Sequence, residues 1–263
     1  MLSGFGEAFA FAASGIAFAF AVGFAVALAV RDASIVDSVW GASFVVAVWA
    51  AFPAAGGPLW RKALVASLVS LWGARLALYL GWRRLKERRE DPRYTELLRR
   101  RGGWRPAVVG LHVFLLQAVL VAVVCLAPVA ALSERGGASL GDGIGAALFL
   151  FGTCFEAVAD LQLARFKARA ENRGKVMERG LWRFSRHPNY FGEFLCWWGA
   201  LAFAVGRTNG WWAVLSPLLM SVLLLRVSGK DHLERHLSAR PGYREYVLRT
   251  SGFVPLPPKR QAR

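Results

Sequence analysis

The stretch SRHPNYFGEFLCWWG, Ser185 to Gly199, sets Arg186, His187, Asn189, Tyr190 and Glu193 at the mouth of an apolar run. Pro188 suits the first turn of a helix, where its missing N–H costs nothing. Asn189, Tyr190 and Glu193 then occupy the opening turns, where free amides and the helix dipole favour an anion. Upstream, FEAVADLQLARFK places Glu156 and Asp160 four residues apart, with Phe166 and Lys167 one to two turns further on. Two acids one turn apart repel each other, a poor arrangement for packing alone. Together these residues could serve a ligand carrying phosphates and a polar ring. Arg and Lys would take the phosphates, acids the hydroxyls, and an aromatic ring would stack. The same set could instead form a cap of ion pairs that binds lipid head groups, and spacing leaves both readings open.

A second group lies earlier. Asp37, in VDSVWG, sits about one turn inside an apolar block. An acid at that depth faces the bundle interior, a cavity or the interface, or is a helix-start residue favoured by the dipole. Arg75 stands in the middle of the next block and needs a partner, for which Asp37 and Glu156 are the nearest in kind. Tyr79 lies four residues on, on the same helical face.

Other chemistries lack their signatures. Cys125, Cys154 and Cys196 are scattered through apolar blocks without metal-ligand spacing. His232 and His236 are four apart, but HLERH puts Glu234 in the wrong place for a zinc motif. No metal site is expected. There is no G-x-G-x-x-G after a strand and no Walker loop, so a cofactor must be held by the helix bundle itself.

The elements that position these groups are membrane helices. The 263 residues are 56% hydrophobic, with a mean hydropathy of +0.38. Apolar blocks near 8–30, 35–55, 63–82, 107–132, 144–164, 190–206 and 211–228 are of membrane-spanning length. The first is too long, and too soon repeated, for a cleaved signal. The net charge of +16 is concentrated: residues 83–105 hold ten Lys or Arg against four acids, and 165–187 hold eight against two. Both loops can face the cytoplasm at once. The expected fold is an all-α integral membrane protein, one domain over 1–263. It is a seven-transmembrane helix bundle with its N-terminus outside and its C-terminus cytoplasmic. The tail from 229 should hold a cytoplasmic helix or interfacial segment to 248 with a turn at RPG, then a proline-rich end. Basic residues flanking spans attract anionic membrane lipid, and no nucleic-acid module is present.

GLWRFSRHPNYFGEFLCWWGAL, with ADLQLARFK, VDSVWG, REDPRY and SGFVPLP, resembles the DUF1295 membrane family of the steroid 5-alpha-reductase-like superfamily, over nearly the whole chain. The resemblance implies a membrane reductase whose C-terminal half holds NADPH from the cytoplasmic side. Hydride would pass to the beta carbon of an enone-type lipid while an acid or phenol polarises the carbonyl. The matching cofactor positions are Asp160, Lys167, Asn189, Glu193, Arg226 and Arg249; Arg186, His187 and Tyr190 join them as neighbours. Asp37, Tyr79 and Arg75 are assigned to the substrate end. The chain departs from steroid reductases in lacking a Gln-Glu pair in the second span, where Asp37 is the acid. A steroid, polyprenyl, fatty or sterol-like substrate is therefore equally open. RHP-x-Y-x-G is also similar to isoprenylcysteine carboxyl methyltransferase-like enzymes, which bind S-adenosylmethionine in the same half; NYFGE followed by WWG looks like the reductase version. A lipid-binding membrane protein without enzymatic activity is the third reading. The expected location is a bacterial inner membrane, since no organelle signal is legible.

Overall fold

The computed structural model describes residues 2–87, 90–205, 210–227, 234, 237–238 and 240–259. Among them the structure is α-helical, with one isolated bridge between Ser185 and Ser251. The principal helices are α1 (Leu2–Val30), α2 (Ile35–Ala51), α3 (Leu59–Glu87) and the short α4 (Pro92–Arg100). They continue with α5 (Pro106–Ser133), α6 (Leu140–Ala168), α7 (Pro188–Ala204), α8 (Gly210–Val227) and α9 (Tyr243–Arg249).

Every apolar block of the sequence becomes helical, but lengths differ. Five helices, Gly4–Val30, Leu59–Lys86, Pro106–Ser133, Leu140–Ala168 and Gly210–Val227, are long and apolar enough to cross a membrane. α2 and α7 have 17 residues each. At 1.5 Å per residue each reaches about 26 Å, short of a hydrocarbon core of about 30 Å. α5 and α8 each contain a π-helical turn, Gly110–Leu115 and Leu223–Val227.

Packing divides the chain into two compact units: Met1–Gly143 with Ala200–Ser216, and Ile144–Gly199 with Pro217–Arg263. In the first, α2 and α3 cross where glycines meet. A Cβ on Gly41 would lie 2.7 Å from the Gly73 carbonyl oxygen, and one on Gly73 would lie 2.6 Å from that of Gly41. Small residues let apolar helices approach this closely and gain dispersion contact. Arg61, in the first turn of α3, is a buried cation with a full set of partners. It is 1% exposed, and all five of its N–H groups are used. Nε and Nη2 donate to the two Asp142 oxygens at 2.6 and 2.9 Å. The rest go to the carbonyls of Glu134, Gly136 and Gly137 at 2.6–2.8 Å. Lys62 donates to the carbonyls of Phe52 and Ala55 just past α2.

The second unit repeats the small-residue device. A Cβ on Gly152 of α6 would lie 2.4 Å from the Gly192 carbonyl oxygen of α7, and one on Gly192 would lie 2.6 Å from that of Gly152. The segment 180–187 is pinned between α6 and the tail. Trp182 Nε1 donates to the Ala159 carbonyl at 3.0 Å, and the Tyr246 hydroxyl donates to the Trp182 carbonyl at 2.6 Å. Beyond α9 the chain docks through Arg186 N to Ser251 O, 2.9 Å, and Leu256 N to Phe184 O, 3.0 Å. Phe253 packs edge-on against Phe191 and Phe194 of α7. The proline-rich segment is therefore docked through 259. His232 and His236, and much of 229–239, lie outside the described residues.

Candidate functional site

In the first unit the site is built on α2, α4 and α5. Asp37 falls in the first turn of α2. The REDPRY segment folds back onto that turn: Asp91 N donates to Ser34 Oγ at 2.7 Å, and Glu90 Oε1 accepts from Ala33 N at 2.9 Å. Pro92 then opens α4, and the Asp91 carboxylate caps it by accepting from Arg93 N at 2.9 Å. The next two residues are thereby aimed at Asp37. Arg93 Nη2 donates to Asp37 Oδ2 at 2.8 Å, and the Tyr94 hydroxyl donates to Asp37 Oδ1 at 2.5 Å. Gln117, on α5, donates to the Tyr94 oxygen at 3.2 Å.

The electrostatics follow from burial and charge. Burial holds the Tyr94 phenol well above its usual range, and the Asp37 carboxylate beside it adds to the effect. Burial works against Asp91, but the Arg93 hydrogen bonds and charge outweigh it and hold its carboxyl below the usual range. The cluster thus sets a protonated phenol and a guanidinium on the two oxygens of Asp37. Arg75 and Tyr79 lie four residues apart on α3, both half-buried. Among the described residues the cation paired with Asp37 is Arg93. Sequence reasoning missed Arg93 and Tyr94 as site residues. The available signal was the proline in REDPRY, which starts a helix whose second and third residues reach inward.

In the second unit, α6 carries Glu156 and Asp160, which are 2% and 6% exposed. α7 begins at Pro188, so Asn189 falls in its first turn. Asn189 Nδ2 donates to Asp160 Oδ1 at 3.3 Å, joining two of the expected residues. The other end of that amide, Asn189 Oδ1, is buried and accepts no hydrogen bond among the described residues. Glu193 is buried one turn on. The His187 and Tyr190 rings stack at 5.5 Å, 2° from parallel.

Arg186 and His187 turn towards the tail. Both approach Glu234 Oε1, at 2.9 and 3.2 Å. Arg186 Nη1 also donates to the carbonyls of Val247 and Thr250 at the end of α9. Arg186 is therefore committed to anchoring the tail. Burial works against the Glu234 carboxylate, but the His187 hydrogen bond and the Arg186 charge hold its pKa below the usual value. Burial, with Glu234 nearby, pushes Tyr243 up to about 12. Arg249 pairs with Glu178. Lys167 is exposed near the end of α6, and Arg226 is exposed near the end of α8, where it makes no ion pair among the described residues. Glu234 was passed over in sequence because its role needs a partner 48 residues away.

Fold and site together define an all-α chain with several helices of membrane-spanning length, and with polar clusters at the first turns of α2 and α7. Among the described residues no group of His, Cys, Asp and Glu could hold a metal ion. The chain belongs to the DUF1295 family, proteins of unknown function, whose family model matches residues 23–250. No curated protein and no solved structure matches it.

Proposed function

We propose that the protein is an integral membrane enzyme that uses NADPH to reduce a carbon–carbon double bond conjugated to a carbonyl in a lipid. The five membrane-length helices, with α2 and α7 completing seven spans, would set the N-terminus outside and the basic loops and tail on the cytoplasmic side. The observation that carries the reading is the Tyr94 hydroxyl held by Asp37 at 2.5 Å. A phenol that keeps its proton and is oriented by a carboxylate is the acid an enone carbonyl requires.

When bound, the nicotinamide would supply hydride to the beta carbon of the enone. As that bond forms, the double-bond electrons move onto the carbonyl oxygen. The Tyr94 hydroxyl, which here donates its one proton to Asp37, would turn that proton to the carbonyl oxygen and stabilise the developing charge. Asp37 and Gln117 position the phenol, and Arg93 donates to the other oxygen of Asp37. A proton taken from water at the alpha carbon would complete the reduction. The residues of the second unit fit the dinucleotide. The orphaned Asn189 Oδ1 can accept from an amide or ribose hydroxyl, with Asp160 and Glu193 beside it in sequence or space. Lys167, Arg226 and Arg249 offer charge for phosphates, and Tyr190, stacked on His187, offers a ring face.

The test is thermal unfolding of the detergent-purified protein with NADPH, NADH or S-adenosylmethionine. At about 100 times its Kd a ligand stabilises by about 2.7 kcal/mol. Stabilisation by NADPH that disappears in Asn189→Ala is the expected result. Stabilisation by S-adenosylmethionine alone would move the assignment to methyl transfer. No response to any of the three would favour a lipid-binding protein.

A further inference from the structure

Beyond α6 the second unit carries a basic cleft that the reductase reading leaves unused. It has a volume of about 900 Å³ and is lined by Arg165, Arg169, Arg173, Lys175 and Arg179, with Glu171 and Glu178 as the acids on its walls. These cations come from the end of α6 and the loop that follows, and Pro241 and Gly242 close the far side. A second depression of about 560 Å³ shares Glu178 and Arg179 with it and adds Arg183, Arg249 and Lys259. Like charges gathered this densely raise the energy of the empty surface.

The acids do not neutralise it. Glu178 is taken by Arg249, and Glu171 reaches Arg169 only at 3.8 Å with both side chains 70% exposed. Arg165, Arg173, Lys175, Arg179 and Arg183 make no side-chain ion pair among the described residues. Several free guanidinium groups around one cleft match the bidentate geometry of phosphate oxygens.

The neighbouring surface points to the source of that phosphate. Phe184, Leu248, Val254 and Leu256 are 40%, 69%, 50% and 53% exposed. They alternate with the cations: Phe184 follows Arg183, Leu248 precedes Arg249, and Leu256 is tied to Phe184 by its amide. Basic and large apolar side chains side by side are the composition of a surface that lies in a bilayer interface. The cleft also begins where α6, a helix of spanning length, ends.

We propose that this cleft is a binding site for the phosphorylated head group of an anionic lipid. The tail residues Leu248, Val254 and Leu256 would meet the acyl boundary beside it. The proposal needs only the second unit and a membrane, and it stands or falls apart from the reductase reading.

The experiment places the full-length protein in nanodiscs of phosphatidylcholine, with or without phosphatidylglycerol, and measures thermal unfolding and the phosphatidylglycerol retained after detergent transfer. Phosphatidylglycerol should raise the unfolding temperature and be retained. Arg169→Gln with Arg173→Gln should abolish the rise and weaken retention by about fivefold per cation removed. Unfolding in phosphatidylcholine alone should be unchanged, which shows that the variant folds. Arg99→Gln with Arg100→Gln, on the exposed face of α4, is the control. Equal loss from that pair would overturn the proposal, because the effect would then belong to basic surface in general. Stabilisation in pure phosphatidylcholine by adenosine 2′,5′-bisphosphate, lost in the Arg169/Arg173 variant, would also overturn it by assigning the cleft to a soluble phosphate compound.

Discussion

The Tyr94 hydroxyl lies 2.5 Å from Asp37 Oδ1, across 57 residues of sequence. Arg93, the residue before it, holds the other oxygen of the same carboxylate at 2.8 Å. Two adjacent residues can grip one carboxylate because Pro92 starts a helix there, and the Asp91 cap turns that helix inward. The pair joins an apolar helix to a short amphipathic one whose Tyr94 and Leu98 are buried and whose Arg99 and Arg100 face out.

Tyr94→Phe removes the proposed acid and little volume. The enone reductase rate should fall by about a hundredfold in kcat, with NADPH binding unchanged. Gln117 loses one acceptor, at a cost of about 1 kcal/mol. A normal kcat in the variant would remove Tyr94 from the mechanism.

Arg61→Ala should be among the most damaging single changes. It leaves Asp142 and three carbonyls without the guanidinium that joins them. Removing one partner of a buried pair costs about 3–5 kcal/mol. Arg61→Lys should also destabilise, since an ammonium cannot supply the five-donor fork. Unfolding midpoints in detergent measure both, and an unshifted midpoint for the alanine variant would contradict the buried placement.

Gly192→Ala should force α6 and α7 apart, because its Cβ would stand 2.6 Å from the Gly152 carbonyl oxygen and 2.7 Å from Glu156 N. Overpacking of this kind costs about 1–3 kcal/mol. It should also weaken NADPH binding by separating Asn189 from Asp160. Gly143→Ala, whose Cβ would meet nothing within 4 Å, should be neutral or stabilising. Equal midpoints for the two variants would speak against the close crossing.

Acid should release the tail. The folded Glu234 carboxyl titrates below the ordinary glutamate value of 4.5, through His187 and Arg186 acting against burial. The stability it contributes is therefore complete above 4.5 and is lost as pH falls through the lower folded value. Hydrogen-exchange protection over 243–259, relative to the intrinsic rate at each pH, should be flat near neutrality and fall in acid. In Glu234→Gln protection should be lower at neutral pH and lose that acid step. An unchanged profile in the variant would assign the acid response to another group.

The features legible along the chain are local ones. Apolar composition over spanning lengths, Pro188 at a helix start, the acids four apart on α6 and the two basic loops all follow from residues close in the chain. Five of the seven apolar blocks become helices of spanning length, and Pro188 opens α7, because short-range sterics, helical period and hydropathy decide such features. The tertiary structure alone decided the partnerships. Arg93 and Tyr94 meet Asp37, Glu234 meets Arg186 and His187, and Arg61 meets Asp142 across 81 residues. It also set Arg186, expected beside the cofactor, against the tail carbonyls of Val247 and Thr250. These pairings depend on how closely helices cross at glycines such as Gly41 and Gly73, or Gly152 and Gly192. No local pattern encodes which distant charge a helix crossing will bring within hydrogen-bonding reach.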